Sequence, residues 1–386
     1  MVSAAGAAPE TVGVDTWNGF HAHQIFDDHI TDPQAAADAA RYDVVWGSNE
    51  PAAWLAGNPN LITSWYMAFD GDGTLAHDLN WWKAFHPGWI LYKCDKRTPA
   101  YPSGVKNIPL DISNPAVVKW QMQTYATIVE AGGYQAFAFD LVGLGNANGG
   151  CGVWINGVWH PRFTGQLTDD AWSQAVLGWF RYAYTYLHSL PRPLLVGINN
   201  VPANRPVGDP EQQQLLTYMD FLNDEAAFTS YGSQYVSQAR VVQIVDWMKY
   251  TQGLQKVYNV DDKWNTTSLT QQQLYWALST YLLGKYHHSS VFIDHMPGYG
   301  YEYYYPEYAA AVGHPCGDMY ADTTHSGVYY RKYSGAFVVV NATGRQSYTV
   351  TLPKIAYTTI DGSPVRSPLT IGPDWGQVLM TTQGCL

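Results

Sequence analysis

Tyr134-Gln-Ala-Phe-Ala-Phe-Asp140-Leu-Val-Gly143, followed at once by Leu144-Gly-Asn-Ala-Asn-Gly-Gly150, is the stretch on which the fold turns. An apolar run from Ala136 to Phe139 ends in an acid, and a glycine-rich loop follows. This reads as a buried strand that carries Asp140 to a loop-lined mouth. An unpaired buried carboxylate costs several kcal/mol, so an acid at the end of such a strand marks a site more readily than a core position. The competing role for Asp140 is a helix N-cap or loop acceptor.

Working outward, the same unit recurs. Upstream, the helix from Pro115 to Glu130 opens on Asn114-Pro115 and stops at Gly132-Gly133. Before it come strand-like runs at Thr11–Trp17, Tyr42–Gly47 and Leu61–Met67, with a helix over Asp32–Arg41 that has Pro33 near its start. Downstream lie Pro193–Asn200, Tyr218–Ala226, Ala239–Met248 and Ser290–His295. Helices are expected over 169–190, 211–216 and 268–284, the last opened by Thr267 or Ser268. Eight such runs alternating with helical segments predict a (β/α)8 TIM barrel. Cys151–His160 predicts a hairpin turning at Asn156-Gly157. After about residue 315 the texture changes to short alternating strands, a small antiparallel β-sandwich-like module. The expected organisation is residues 1–10 as the remnant of a signal or pro region or a disordered start, 11–315 as a catalytic barrel and 316–386 as a C-terminal β-domain.

Composition narrows the function. With Lys plus Arg at 21, Asp plus Glu at 32 and a formal charge of −11, the chain lacks a nucleic-acid footprint, and a polyanionic substrate is disfavoured. No run of 18 apolar residues is present, so no membrane partner is expected. No P-loop and no Gly-x-Gly-x-x-Gly after a strand calls for a nucleotide cofactor, and no Gly-x-Ser-x-Gly elbow calls for a serine hydrolase. The 16 Trp and 29 Tyr supply core mass, or rings on which the C–H faces of sugars stack. Four cysteines without Cys-x-x-Cys spacing argue against zinc and permit two disulfides. Cys94 with Cys151 and Cys316 with Cys385 is the favoured pairing, buried free thiols being the other reading. Met1–Glu10 lacks the basic and apolar parts of a signal peptide and resembles what remains beyond a cleavage site, so a secreted protein is expected. Nothing in the sequence fixes an oligomeric state.

Barrel enzymes present their chemistry at the C-terminal ends of the strands. The expected strands deliver Asp15, Asp140, Asn199 with Asn200, Asp224 with Glu225, Asp246 and Asp294 there. Carboxylates dominate, and a pair across a cleft is what glycosidic cleavage requires. Asp140 is the candidate nucleophile and Glu225 the candidate acid/base, with Asp224 as its substitute because a one-residue change of register exchanges the two. Asp15, Asn199, Asn200, Asp224, Asp246 and Asp294 are candidates for sugar hydroxyls, and Trp17, Trp65, Tyr66 and Trp247 for stacking. The metal alternative rests on His21-Ala-His23 with Asp294, but the expected fifth and sixth strands end in Asn and acids where it needs histidines, so no metal is assigned. A glycan-binding barrel without catalysis is the alternative from another class.

Ile108-Pro-Leu-Asp-Ile-Ser-Asn-Pro-Ala116, the Tyr134–Asp140 strand, Phe221-Leu-Asn-Asp-Glu225 and the tail from Gly327 to Thr343 together resemble a family of secreted bacterial glycoside-hydrolase-like barrels. That family is distantly similar to the α-galactosidase and α-amylase assemblage. The resemblance implies a retaining mechanism with the fourth-strand acid, here Asp140, as nucleophile. A donor on the sixth strand matches the α-galactosidase-like arrangement, whereas Asn199-Asn200 departs from the amylase-like one, which takes its Glu from the fifth strand. Sugar and linkage do not carry over.

Overall fold

The computed structural model describes residues 18–385 apart from 75, 103 and 105. Among them, eight parallel strands close into a barrel. They are β1 (Ala22–Ile25), β2 (Tyr42–Trp46), β3 (Ile62–Ala68), β4 (Ala136–Asp140), β5 (Leu195–Asn199), β6 (Phe221–Asp224), β7 (Val257–Trp264) and β8 (Ser289–His295). Each lies beside its sequence neighbours, and β1 pairs with β8. Helices α1 (Asp32–Asp38), α2 (Pro51–Gly57), α3 (Leu79–Phe85), α4 (Pro115–Ala131), α5 (Asp170–His188), α6 (Pro210–Thr217), α7 (Gln238–Gly253) and α8 (Gln271–Gly284) connect them, α3 and α4 both falling between β3 and β4. The chain is thus a TIM barrel followed by antiparallel sheets.

Three expectations need correction: the first described barrel strand is Ala22–Ile25, where the run 11–17 was expected to supply it. Ala239–Met248, read as the seventh strand, is inside α7. Its β-branched run was misleading because Val241, Ile244, Val245 and Met248 are buried at helical spacing. The seventh strand is Val257–Trp264, whose Asp261-Asp262-Lys263 disguises it as surface. α8 begins three residues later than expected: Thr270 and Gln273 form a reciprocal capping box. The expected run Thr11–Trp17, with Asp15 and Trp17, lies outside the described residues.

The chain divides into two compact units. One holds Ile62–Asn200 and Gly208–Asp220. In it β3 and β5 flank β4, with Ala68 opposite Asp140 and Ile198 opposite Phe139. Asn114 caps α4 and Asp169 caps α5. Between strand and helices, Phe69, Phe139, Trp179 and Phe180 pack at centroid distances of 4.7–5.9 Å, edge to face except for the tilted Phe69–Phe180 pair. The expected hairpin forms as Gly150–Ile155 with Val158–Pro161. It turns at Asn156 (φ 50°) and Gly157 (φ 77°), the left-handed pair that a two-residue turn needs. Tyr92–Lys93 adds a third strand to it, and the Cys94–Cys151 disulfide ties the two.

The other unit holds the residues described up to Leu61, Val201–Val207 and Phe221 onward. Here β7 and β8 pair over seven positions, from Tyr258 opposite Ser289 to Trp264 opposite His295. After the barrel come β9 (Tyr320–Ala321), β10 (Val328–Lys332), β11 (Ala336–Asn341), β12 (Tyr348–Val350), β13 (Tyr357–Thr359), β14 (Pro364–Val365), β15 (Leu369–Ile371) and β16 (Trp375–Met380). Among the described residues six form one sheet in the order β9-β10-β11-β16-β13-β14, while β12 pairs with β15. The Cys316–Cys385 disulfide closes this module. α8 is buried all round from Tyr275 to Gly284, since β16 covers the side that a barrel helix usually shows to water. A Cβ at Gly376 would lie 2.4 Å from Ser279 Cβ, so that contact demands glycine. Arg331 on β10 is fully buried and donates to the Leu282 and Leu283 carbonyls in the last turn of α8, at 3.0 and 2.7 Å.

Candidate active site

In the first unit the barrel interior is set by strand alternation. Tyr66 on β3 points inward; its neighbour Trp65 packs outside the strand against Tyr125 of α4 and Phe137. Tyr66 donates to Asp140 Oδ2 at 2.5 Å, and Asn199, at the end of β5, donates to Asp140 Oδ1 at 2.9 Å. Both carboxylate oxygens therefore accept, which fixes the plane of the group. Immediately after it Leu141 adopts φ 59°, a left-handed conformation rare for leucine, and the chain turns sharply into the glycine-rich loop. Asn200 serves this turn, donating to the Val142 carbonyl at 2.6 Å and accepting from Gln212 at 2.8 Å.

Asp70 joins this cluster, although the strand-end inventory omitted it. It lies two residues past β3, is buried, and accepts from Asn148 of the glycine-rich loop at 2.6 Å. Burial and the nearby charge of Asp140 push its carboxyl up to about 7.

In the second unit three acids gather at the ends of β6, β7 and β8. Glu225 directly follows β6, Asp261 lies on β7 and Asp294 on β8. Tyr299, in the loop after β8, reaches Glu225 Oε1 at 3.0 Å and Asp261 Oδ2 at 2.6 Å. The Lys263 ammonium stands 4.3 Å from the centroid of the Tyr299 ring. Burial, with Asp294 and Glu225 nearby, drives the Asp261 carboxyl well above its usual range. Asp294 rises to about 7 through burial, against the pull of Lys263 and with the push of Glu225. Deeper in the barrel, Ser290 gives its proton to Asn259 at 2.7 Å, so His23 Nδ1 at 2.9 Å is the donor to Ser290. Burial holds His23 down to about 3, a neutral ring.

Register separates Glu225 from its substitute. On β6, Phe221 meets Trp46 at 5.8 Å and Asn223 lies close enough to His23 to act on its titration, so the odd-numbered positions face the barrel interior. Asp224 faces the helices, where Tyr258 donates to it at 2.5 Å. Asp246 is exposed on α7, and Trp247 is buried there, donating to the Arg205 carbonyl at 2.9 Å; neither ends a strand. His21 bonds Asp43 at 2.7 Å, while His23 bonds Ser290, so the two histidines do not converge. Trp46, Trp54, Trp82, Trp179, Trp247 and Trp276 are fully buried, which assigns them to the core.

No protein-family model and no curated sequence matches the chain. Among solved structures it resembles a noncanonic maltogenic α-amylase, AmyB from Thermotoga neapolitana, with TM-score 0.51 and 12% identity over 95% of this chain and 97% of that one. The fold is shared with a glycoside hydrolase. Two further likenesses are the GH36 α-galactosidase AgaA from Geobacillus stearothermophilus and the PgaB (BpsB) glycoside hydrolase domain from Bordetella bronchiseptica. The first has TM-score 0.48 at 12% identity over 95% of this chain and 56% of that one. The second has TM-score 0.45 at 12% identity over 71% and 94%.

Proposed function

We propose that the chain is a secreted glycoside hydrolase that cleaves a neutral oligo- or polysaccharide by a two-carboxylate, retaining route. Asp140 is the nucleophile and Glu225 the acid/base. The observation that carries the reading is the setting of Asp140: an acid at the C-terminal end of a barrel strand whose two oxygens are held by Tyr66 and Asn199. A carboxylate aimed in this way is ready to attack an anomeric carbon, and its two donors are positioned to stabilise it as leaving group when the glycosyl intermediate breaks down. Glu225 supplies the proton to the leaving oxygen and later takes one from water. Asp294 has both oxygens buried without a partner among the described residues, and it acts on the proposed donor through its charge beside Glu225 and Lys263. Two disulfides fit an oxidising compartment, and no described helix is long and apolar enough to cross a membrane.

The test is digestion of a glycan library by the wild-type protein and by Asp140→Asn and Glu225→Gln, with NMR of the first-formed anomer. Products lost in both variants, with retained configuration in the wild type, are expected. Undiminished hydrolysis in either variant overturns the assignment of that residue. Binding of glycans with no product from the wild type establishes the non-catalytic alternative.

A further inference from the structure

Tyr299 has one proton to donate and two carboxyl oxygens within reach, Glu225 Oε1 at 3.0 Å and Asp261 Oδ2 at 2.6 Å. A phenol hydroxyl donates once and accepts through its lone pairs. Both contacts are hydrogen bonds only when one carboxyl is protonated and donates to the phenol oxygen. The trio then holds two protons in one of two arrangements. In the first, Asp261 carries a proton and donates to Tyr299, which donates to Glu225. In the second, Glu225 carries it and donates to Tyr299, which donates to Asp261. The arrangements interconvert when each proton moves by one oxygen, with no change in net charge.

The surroundings keep that shared proton in place. Asp261 is fully buried and its Oδ1 has no partner among the described residues. The charged groups that bear on the trio are Asp294 from β8, Asp262 from the same strand as Asp261, and Lys263, whose ammonium lies over the Tyr299 ring. Four acids around one lysine make full ionisation of the cluster costly.

We propose that Asp261 is the resting place of the acid's proton, and that the Tyr299 hydroxyl is the path by which it reaches Glu225. This rests on the reading of Glu225 as the acid/base. In the transfer, the Asp261 O–H bond breaks as a new O–H forms on Tyr299. The original Tyr299 O–H breaks as one forms on Glu225, which then delivers the proton to the leaving oxygen. Water returns a proton to Glu225 in the second half of the reaction, and the shift runs backward. Asp261 and Tyr299 are thus positioning residues that keep the half-buried Glu225 loaded from within the protein.

Infrared difference spectroscopy of the protonated carboxyl C=O stretch tests this without a substrate. Wild type, Asp261→Asn, Glu225→Gln and Tyr299→Phe are titrated from about pH 4 to about pH 9, and circular dichroism checks that each is folded. The expected result is that Glu225→Gln lowers the midpoint of the Asp261 band by at least about one pH unit, and that Tyr299→Phe alters the titration of both acids. If the Asp261 midpoint is unmoved in Glu225→Gln, the proton is not shared and the inference fails; that variant decides alone should Tyr299→Phe not fold. Independent titration alongside hydrolysis that Glu225→Gln abolishes would sink the relay and leave the hydrolase reading intact. A coupled pair in a protein that cleaves no glycan would do the reverse.

Discussion

Tyr66 and Asp140 stand on adjacent barrel strands and share a hydrogen bond of 2.5 Å, with the phenol as donor. A hydrogen bond to a charged group contributes about 1.5–3 kcal/mol. Tyr66→Phe is therefore expected to lower kcat/KM about 10–100-fold on whatever glycan the wild type hydrolyses, with the melting temperature little changed. An unaltered kcat/KM would mean that Asp140 needs no support from β3.

Glu225→Gln and Asp224→Ala should behave as opposites. The first loses about 10²–10⁴-fold in kcat and stays folded, since Glu225 is half-buried at the mouth. The second strands the Tyr258 hydroxyl and costs about 1–3 kcal/mol of stability, seen as a lower melting temperature, while activity survives. If Asp224→Ala is the inactive one, the register argument from Phe221 and Asn223 is wrong.

Asp70 makes stability depend on pH. Its folded-state carboxyl lies near 7 instead of the ordinary 3.8, raised by burial and by Asp140. Between those values the unfolded chain gives up the proton while the native protein keeps it. The stability from this group is therefore complete below about pH 4 and is lost as pH rises to about 7. Asp70→Asn is expected to melt above wild type at about pH 8, with the advantage shrinking toward acid. Melting curves across pH that run parallel for the two proteins would refute it.

Gly165 sits under the Cys94–Cys151 bridge at φ 75°, and a Cβ there would lie 2.5 Å from Cys151 Sγ and 2.7 Å from Cys94 Sγ. Gly165→Ala should keep the bridge from closing normally. Thiol titration should find two reactive sulfhydryls, and the protein should lose about 2–5 kcal/mol. Normal closure with unchanged melting would show that the 149–165 segment yields.

The sequence made β4, β5 and β8 readable because each is an apolar run stopped by a polar residue, with nothing inside the run to contradict it. β7 was hidden because a barrel's interior can be polar near its mouth. Asn259, Asp261 and Lys263 alternate with Tyr258, Val260 and Asp262, so acids stand on both faces and the hydrophobic signal vanishes. β1 carries His23 and Gln24 and is disguised in the same way. That Asp140 ends a barrel strand was legible from the apolar run before it. Asp261 and Tyr299 were not, since one sat in an unrecognised strand and the other in a loop beyond the last one. The alternation in 257–264 was the signal that could have found the first; no local signal marks Tyr299.

Arg331 donates to the final carbonyls of α8, groups that a helix cannot satisfy by itself. Tyr333 adds its hydroxyl to the Leu282 carbonyl. The consequence concerns the timing of synthesis. The helix that follows the seventh barrel strand cannot be finished until the segment carrying β10 has left the ribosome. A nascent chain halted after residue 315 would hold a barrel helix with an open end and one uncovered face. The end of α8 and the C-terminal sheets are thus completed together, and those sheets cannot be traded for another attachment without rebuilding the end of α8.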